Sequence, residues 1–184
     1  MPGTQFDFTD VAVMVVDDNQ HMRALLLSIL HALGFRRIRE FADGETALRN
    51  IDQVEPDIVI TDWHMEPMNG MDLVRSIRAA ANETTRYVPI IMLTGHSEAD
   101  RVRVARDAGV HEFLAKPISA QSLLARIVRI VDNPRPFIKT GEYFGPDRRR
   151  RNMGPPDDVA ERRNEAPETA DQPIADAAAG PAAQ

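Results

Sequence analysis

Three short apolar runs, VAVMVV at 11–16, DIVIT at 57–61 and IIML at 90–93, leave this chain little choice of fold. A strand with one wet face alternates apolar and polar residues; an unbroken run rich in Val and Ile has to be buried on both faces. Between the runs lie segments of helical spacing. Met22, Leu25, Leu26, Ile29, Leu30 and Leu33 form the first, opened by Asn19 and closed by Gly34. Leu73, Val74 and Ile77 mark another within 71–81, and Leu123, Leu124, Ile127, Val128 and Val131 mark the last, with Ser119 as its cap. Weaker signals fill the gaps: an edge strand at 35–41, a short helix at 45–51 and a fifth strand at 110–115. A helix is predicted to start near Ser97, carry Val102, Val104 and Ala105, and stop at Gly109. Five strands alternating with five helices predict an α/β, doubly wound, five-stranded parallel sheet covered on both faces.

Composition narrows the function classes. The chain has no Cys, which excludes disulfides, thiolate zinc sites and thiol chemistry, and fits a reducing compartment. The first ten residues lack the basic start and apolar core of a signal peptide, and no apolar run approaches the roughly 20 residues that span a bilayer. A cytoplasmic protein is the expectation. Net charge is −6, with most of the acidic excess before residue 134, so the folded part offers no electrostatic reason to bind nucleic acid. Residues 1–9 read as an N-terminal arm and 10–133 as one domain. Residues 134–151 form an aromatic and basic tail motif, and 152–184 a low-complexity segment too poor in apolar residues to offset ordering entropy.

The residues that carry chemistry sit at the carboxyl ends of separate strands. Asp17 and Asp18 follow the first, Asp62 the third, Thr94 the fourth and Lys116 the fifth. A parallel sheet with one reversal of strand order brings them to one crevice at its rim. Three converging carboxylates repel one another, which implies a bound cation; oxygen donors alone point to a hard ion such as Mg2+. A lysine and a hydroxyl beside that ion complete a site for a phosphoryl group, with one carboxylate as nucleophile.

Asp17-Asp18 after an apolar strand, Asp62 after DIVIT, Met68-Asn69-Gly70, Thr94-Gly95 after IIML and Lys116-Pro117 after FLA together resemble the receiver domain of two-component response regulators, over roughly residues 10–132. The resemblance implies a flavodoxin-like fold with strand order 2-1-3-4-5. It implies Asp62 as phosphoacceptor, Asp18 and Asp62 binding Mg2+ (or Mn2+) directly, Asp17 through water, and the His64 backbone carbonyl as a further ligand. Lys116 would hold the acceptor carboxylate, with Lys116-Pro117 cis; Thr94 would be the switch hydroxyl and Phe113 the aromatic switch. The implied partners are a sensor histidine kinase or a histidine phosphotransfer protein, and a downstream protein target. One departure stands out: the family's D-x-x-M-P-x-M-D-G pattern becomes Asp62-Trp63-His64-Met65-Glu66-Pro67-Met68-Asn69-Gly70, with the proline one place later.

Blander readings stand beside these. Asp17-Asp18 alone would be a charged pair at a helix start; only register with Asp62 and Lys116 makes it a metal site. Phe113 reads equally well as a core aromatic. His21, His31 and His111 lack metal-ligand spacing and read as surface or packing residues. Gly95-His96-Ser97-Glu98-Ala99 approximates the nucleophile elbow of α/β-hydrolases with His111 downstream, a reading that leaves Asp17, Asp18 and Lys116 unexplained. No recognition-helix module follows the domain, so a stand-alone receiver acting through protein contacts is expected. Phe137, Tyr143 and Phe144 are candidate partner anchors, and Arg148, Arg149, Arg150 and Arg151 candidate contacts to an acidic surface. A regulator that binds nucleic acid through this basic tail, or a receiver fold that acts as an unphosphorylated scaffold, are the alternatives.

Overall fold

The computed structural model of the chain describes residues 6–95, 107–132, 137–140 and 143–146. Its centre is a parallel sheet of β1 (Ala12–Val16), β2 (Arg37–Phe41), β3 (Ile58–Asp62), β4 (Ile90–Thr94) and β5 (Glu112–Ala115), in the order β2-β1-β3-β4-β5. The helices described are α1 (Gln20–Ala32), α2 (Gly44–Val54), α3 (Gly70–Arg78), a short α4 (Glu83–Tyr87) and α5 (Ala120–Asp132). The helix predicted to start near Ser97 lies outside the described residues except for its end at Asp107.

All residues of β1, β3 and β4 are buried, as their unbroken apolar runs require. Successive side chains of a strand point to opposite faces, so each run feeds two cores. Val13 and Val15 of β1, Ile58 and Ile60 of β3, and Ile91 and Leu93 of β4 pack with Leu26 and Leu30 of α1 and Leu123 and Ile127 of α5. Met14, Val16, Val59, Ile90 and Met92 face the other way, onto Ala47 and Ile51 of α2 and Leu73, Val74 and Ile77 of α3. Each fully buried side chain of this size stabilises the fold by roughly 1.5–3 kcal/mol before entropy is counted. The arm contributes as well: Phe8 is buried against Phe35, their rings stacked at 4.5 Å.

Helix ends follow local chemistry. The Asn19 side chain accepts the backbone N–H groups of His21 and Met22, Asn69 accepts from Asp72, and the Ser119 hydroxyl accepts from Ser122. Helix α2 runs three residues past the predicted Ile51, to Val54, and is capped by Glu55 in the left-handed region at φ 45. Helix α3 stops at Arg78 instead of continuing to 81, because Asn82 caps a new turn by accepting from the Thr84 N–H. The Asn82 amide and the Thr85 hydroxyl both donate to Asp52, which ties α4 to α2.

Part of the tail motif is folded. Strands β6 (Phe137–Thr140) and β7 (Tyr143–Pro146) form an antiparallel hairpin with Phe137 opposite Pro146. Arginines 148–151 and residues 152–184 lie outside the described residues. No helix among the described residues is long and apolar enough to cross a membrane.

Asp43 caps α2, its carboxylate accepting the Thr46 N–H at 2.7 Å, and this hydrogen bond holds its carboxyl below the ordinary value of 3.8. Asp43→Ala is expected to cost about 1 kcal/mol in urea unfolding at neutral pH. A depressed folded-state pKa gives stability that is present above the unfolded value and lost as pH falls through the folded one. The difference between native protein and variant should therefore shrink on acidification below 3.8.

Candidate functional site

Sheet register puts the acidic and basic residues at one rim. Asp17 follows Val16, which pairs with Thr61; Asp62 pairs with Leu93; and Thr94, the last residue of β4, pairs with Ala115, which precedes Lys116. The Lys116 N–H donates to the Thr94 carbonyl at 2.8 Å, which extends the sheet by one bond at this point.

Asp17, Asp18 and Asp62 each offer a carboxylate oxygen, and these oxygens lie within 4.8 Å of one another. Asp17 is fully buried, Asp62 nearly so, and Asp18 exposed. The Lys116 ammonium meets Asp62 Oδ1 at 2.9 Å and stands 3.7 Å from Asp17 Oδ2. Asp62 Oδ1 also accepts the Trp63 backbone N–H at 2.8 Å, so the contacts of this carboxylate described here fall on one oxygen. Asp17 Oδ1 accepts the Asn19 N–H at 2.8 Å, whereas Oδ2 is buried with no hydrogen bond. Burial raises the Asp17 carboxyl above its ordinary value; the Asn19 N–H opposes the shift, the Asp62 charge adds to it, Lys116 opposes it and Asp18 adds a little more.

One ammonium against three carboxylates leaves an excess of negative charge. An orphaned buried oxygen, oxygen-only donors and that excess all fit a hard divalent cation, with Asp17, Asp18 and Asp62 as the groups to hold it.

The surrounding backbone is held in place. Arg23 donates to the carbonyls of Asp17 at 2.8 Å and Asp18 at 3.3 Å, and pairs with Glu40 at 3.1 Å. Sequence reasoning missed Arg23, since its spacing resembles that of any exposed position on α1. At Gly70 an added Cβ would lie 2.0 Å from the Asp62 carbonyl oxygen, and the Gly70 N–H donates to the Trp63 carbonyl at 2.9 Å. The loop after Asp62 therefore closes back on itself, and only glycine fits its end. Lys116-Pro117 is cis, as the resemblance implies, and so is Glu66-Pro67 at the displaced proline.

Other candidates fall in varied places. Thr94 is buried at the rim, and Phe113 is half-buried against the α2–α3 core, which also takes in Trp63 and Met65. His64 is exposed two residues past β3. His111 accepts the Ile90 N–H through Nδ1 at the amino end of β4, and residues 96–99 of the elbow-like sequence lie outside the described residues. Phe137 lies in the hairpin, with Tyr143 and Phe144 on the backbone of β7.

Three outcomes are expected from this geometry. Gly70→Ala should destabilise the protein by about 3 kcal/mol in denaturant unfolding, because the new methyl meets backbone that cannot move aside cheaply. Mg2+ at a hundred times its dissociation constant should stabilise the native protein by about 2.7 kcal/mol. Asp17→Asn should be more stable than the native protein without metal, since it removes one of the clustered charges, and should lose most of the Mg2+ response. Thermal melts with and without a chelator check both arms.

Comparison with known proteins agrees with this site. The family model for the response regulator receiver domain matches residues 13–128. The chemotaxis protein CheY of Pseudomonas aeruginosa is 36% identical over 120 residues, 65% of this chain and 95% of that protein. CheY-3 of Vibrio cholerae is 33% identical over 123 residues, 67% of this chain and 93% of the relative. Among solved structures, the receiver domain of a sensor histidine kinase of Pseudomonas aeruginosa, with a magnesium ion in its active site cleft, is similar at a TM-score of 0.60 and 28% identity. That likeness covers 67% of this chain and 98% of the other. With the acidic rim and this family match in agreement, the chain belongs to the response regulator receiver domains of two-component signalling.

Proposed function

We propose that the chain is a response regulator that accepts a phosphoryl group on Asp62 from a phosphohistidine of a sensor kinase or a phosphotransfer protein. The observation that carries this reading is the Lys116 ammonium 2.9 Å from Asp62 Oδ1, inside a cluster of three carboxylates. An Asp62 carboxylate oxygen attacks the phosphorus, the P–N bond breaks with its electron pair returning to the imidazole, and an aspartyl phosphate forms. Mg2+ or Mn2+, when bound by Asp17, Asp18, Asp62 and the His64 carbonyl, neutralises charge on the transferring group. Lys116 binds one oxygen of the new phosphate, and the buried Thr94 hydroxyl another. Water later attacks the phosphorus and releases inorganic phosphate, restoring the carboxylate. The chain itself supplies the charge environment for both steps.

The added charge draws Thr94 inward, and Phe113, half-buried against the α2–α3 core, turns into the space vacated. The surface formed by the helix predicted after Ser97, with β5 and α5, then changes its preference for a protein target, as a population shift between two packed states. The basic residues after the hairpin extend that contact to an acidic partner surface.

Incubation with Mg2+ and acetyl phosphate should add one phosphoryl group by intact mass. Asp62→Asn should show no gain, and Lys116→Ala should gain it about a hundredfold more slowly. Beryllofluoride should change the fluorescence of Trp63, whose backbone N–H is bonded to Asp62. A native protein that fails both measurements is an unphosphorylated scaffold.

A further inference from the structure

The hairpin meets the domain through the ring of Phe137, and its Gly145 and Pro146 are buried as well. Phe137 meets Tyr87 of α4 edge-on with ring centroids 4.8 Å apart, and lies 5.3 Å from the His111 ring. The Arg78 guanidinium sits over the same ring, 5.2 Å from its centroid. Its three neighbours come from α3, α4 and the residue just before β5, and two of them, Arg78 and His111, are fixed by hydrogen bonds. Arg78 is buried and donates to the Gly109 carbonyl through Nε at 3.1 Å and Nη2 at 2.9 Å, and to the Arg86 carbonyl through Nη1 at 2.8 Å. His111 is buried and accepts the Ile90 N–H at 3.1 Å. Gly109, at φ +98, leaves room for Arg78, since a Cβ there would lie 2.9 Å from Arg78 Nε.

A planar cation held over an aromatic face, with a second ring edge-on and a third beside it, is a preformed receptor for one aromatic side chain. Its position matters too. It gathers round Ile90 and His111 at the amino end of the sheet, about 13 Å along β4 from Thr94.

We infer that Arg78, Tyr87 and His111 form an aromatic-binding seat filled in cis by Phe137, so that β6–β7 is a latch closed over the base of the sheet. Hairpins of two strands do not hold their shape alone in water, and this one depends on the seat. Opening the latch frees the hairpin and bares the seat without disturbing the two cores, because Phe137 belongs to neither.

Trypsin reads the latch directly, since Lys139 lies within β6 and cleavage after it reports how often the hairpin opens. With the full chain, Phe137→Ala should speed cleavage after Lys139 by tenfold or more while circular dichroism shows the domain intact. Tyr87→Ala, at a side chain 40% exposed even in the closed state, should do the same from the receptor side. Phe137→Leu, which keeps apolar bulk and loses the ring, should also cleave faster, whereas Phe137→Trp should remain protected. Equal cleavage in native protein and both alanine variants would overturn the inference. So would loss of the whole domain's circular dichroism in Phe137→Ala, since the ring would then be core and not a latch. Phosphoryl gain by Asp62 is a separate measurement and decides neither outcome.

Discussion

Excess negative charge at one sheet edge governs the rest of this molecule. Two unit charges about 4 Å apart near a protein surface interact by about 4 kcal/mol, and Asp17, Asp18 and Asp62 are gathered within such distances. Lys116 offsets part of the repulsion, with its ammonium shared unequally between Asp62 and Asp17. What it leaves is a rim whose energy responds strongly to any new charge, cationic or anionic. That is the physical basis on which the rim suits a divalent ion and the proposed phosphoryl acceptor role.

Such crowding persists because the scaffold beneath it cannot relax. Side chains of β1, β3 and β4 are locked into cores on both faces, so the strand ends carrying Asp17, Asp62 and Thr94 have fixed spacing. Backbone bonds finish the work: Arg23 grips the Asp17 and Asp18 carbonyls, Gly70 closes the loop after Asp62, and Lys116 is tied to Thr94. Phe113 beside this rim is only half-buried.

The two ends of the sheet divide the labour. Charge collects at the carboxyl end, while at the amino end the buried Arg78 satisfies the Gly109 and Arg86 carbonyls and a hairpin is seated on its guanidinium. Glu112, at the start of β5, is paired with Arg126 and Arg129 of α5, each at 3.4 Å, so this end is braced by paired charges where the other sets one ammonium against three carboxylates.

The sequence by itself determined the sheet, its burial on both faces and the residues of the rim, because strand periodicity and strand ends are local properties and topology places all strand ends together. Asn19, Asn69 and Ser119 act within one turn of their own position, so a cap is readable from a few neighbouring residues. Only the tertiary structure decided what depends on distant partners. Arg23 shows its part only when α1 packs beside the acidic loop. Asn82 cut α3 short through a tie from α4 to Asp52 on α2, and Phe8 joined a core from a segment that reads as an arm. Phe137, one more aromatic in a polar tail, acquired its place from Arg78, Tyr87 and His111, three residues that no spacing in the chain connects.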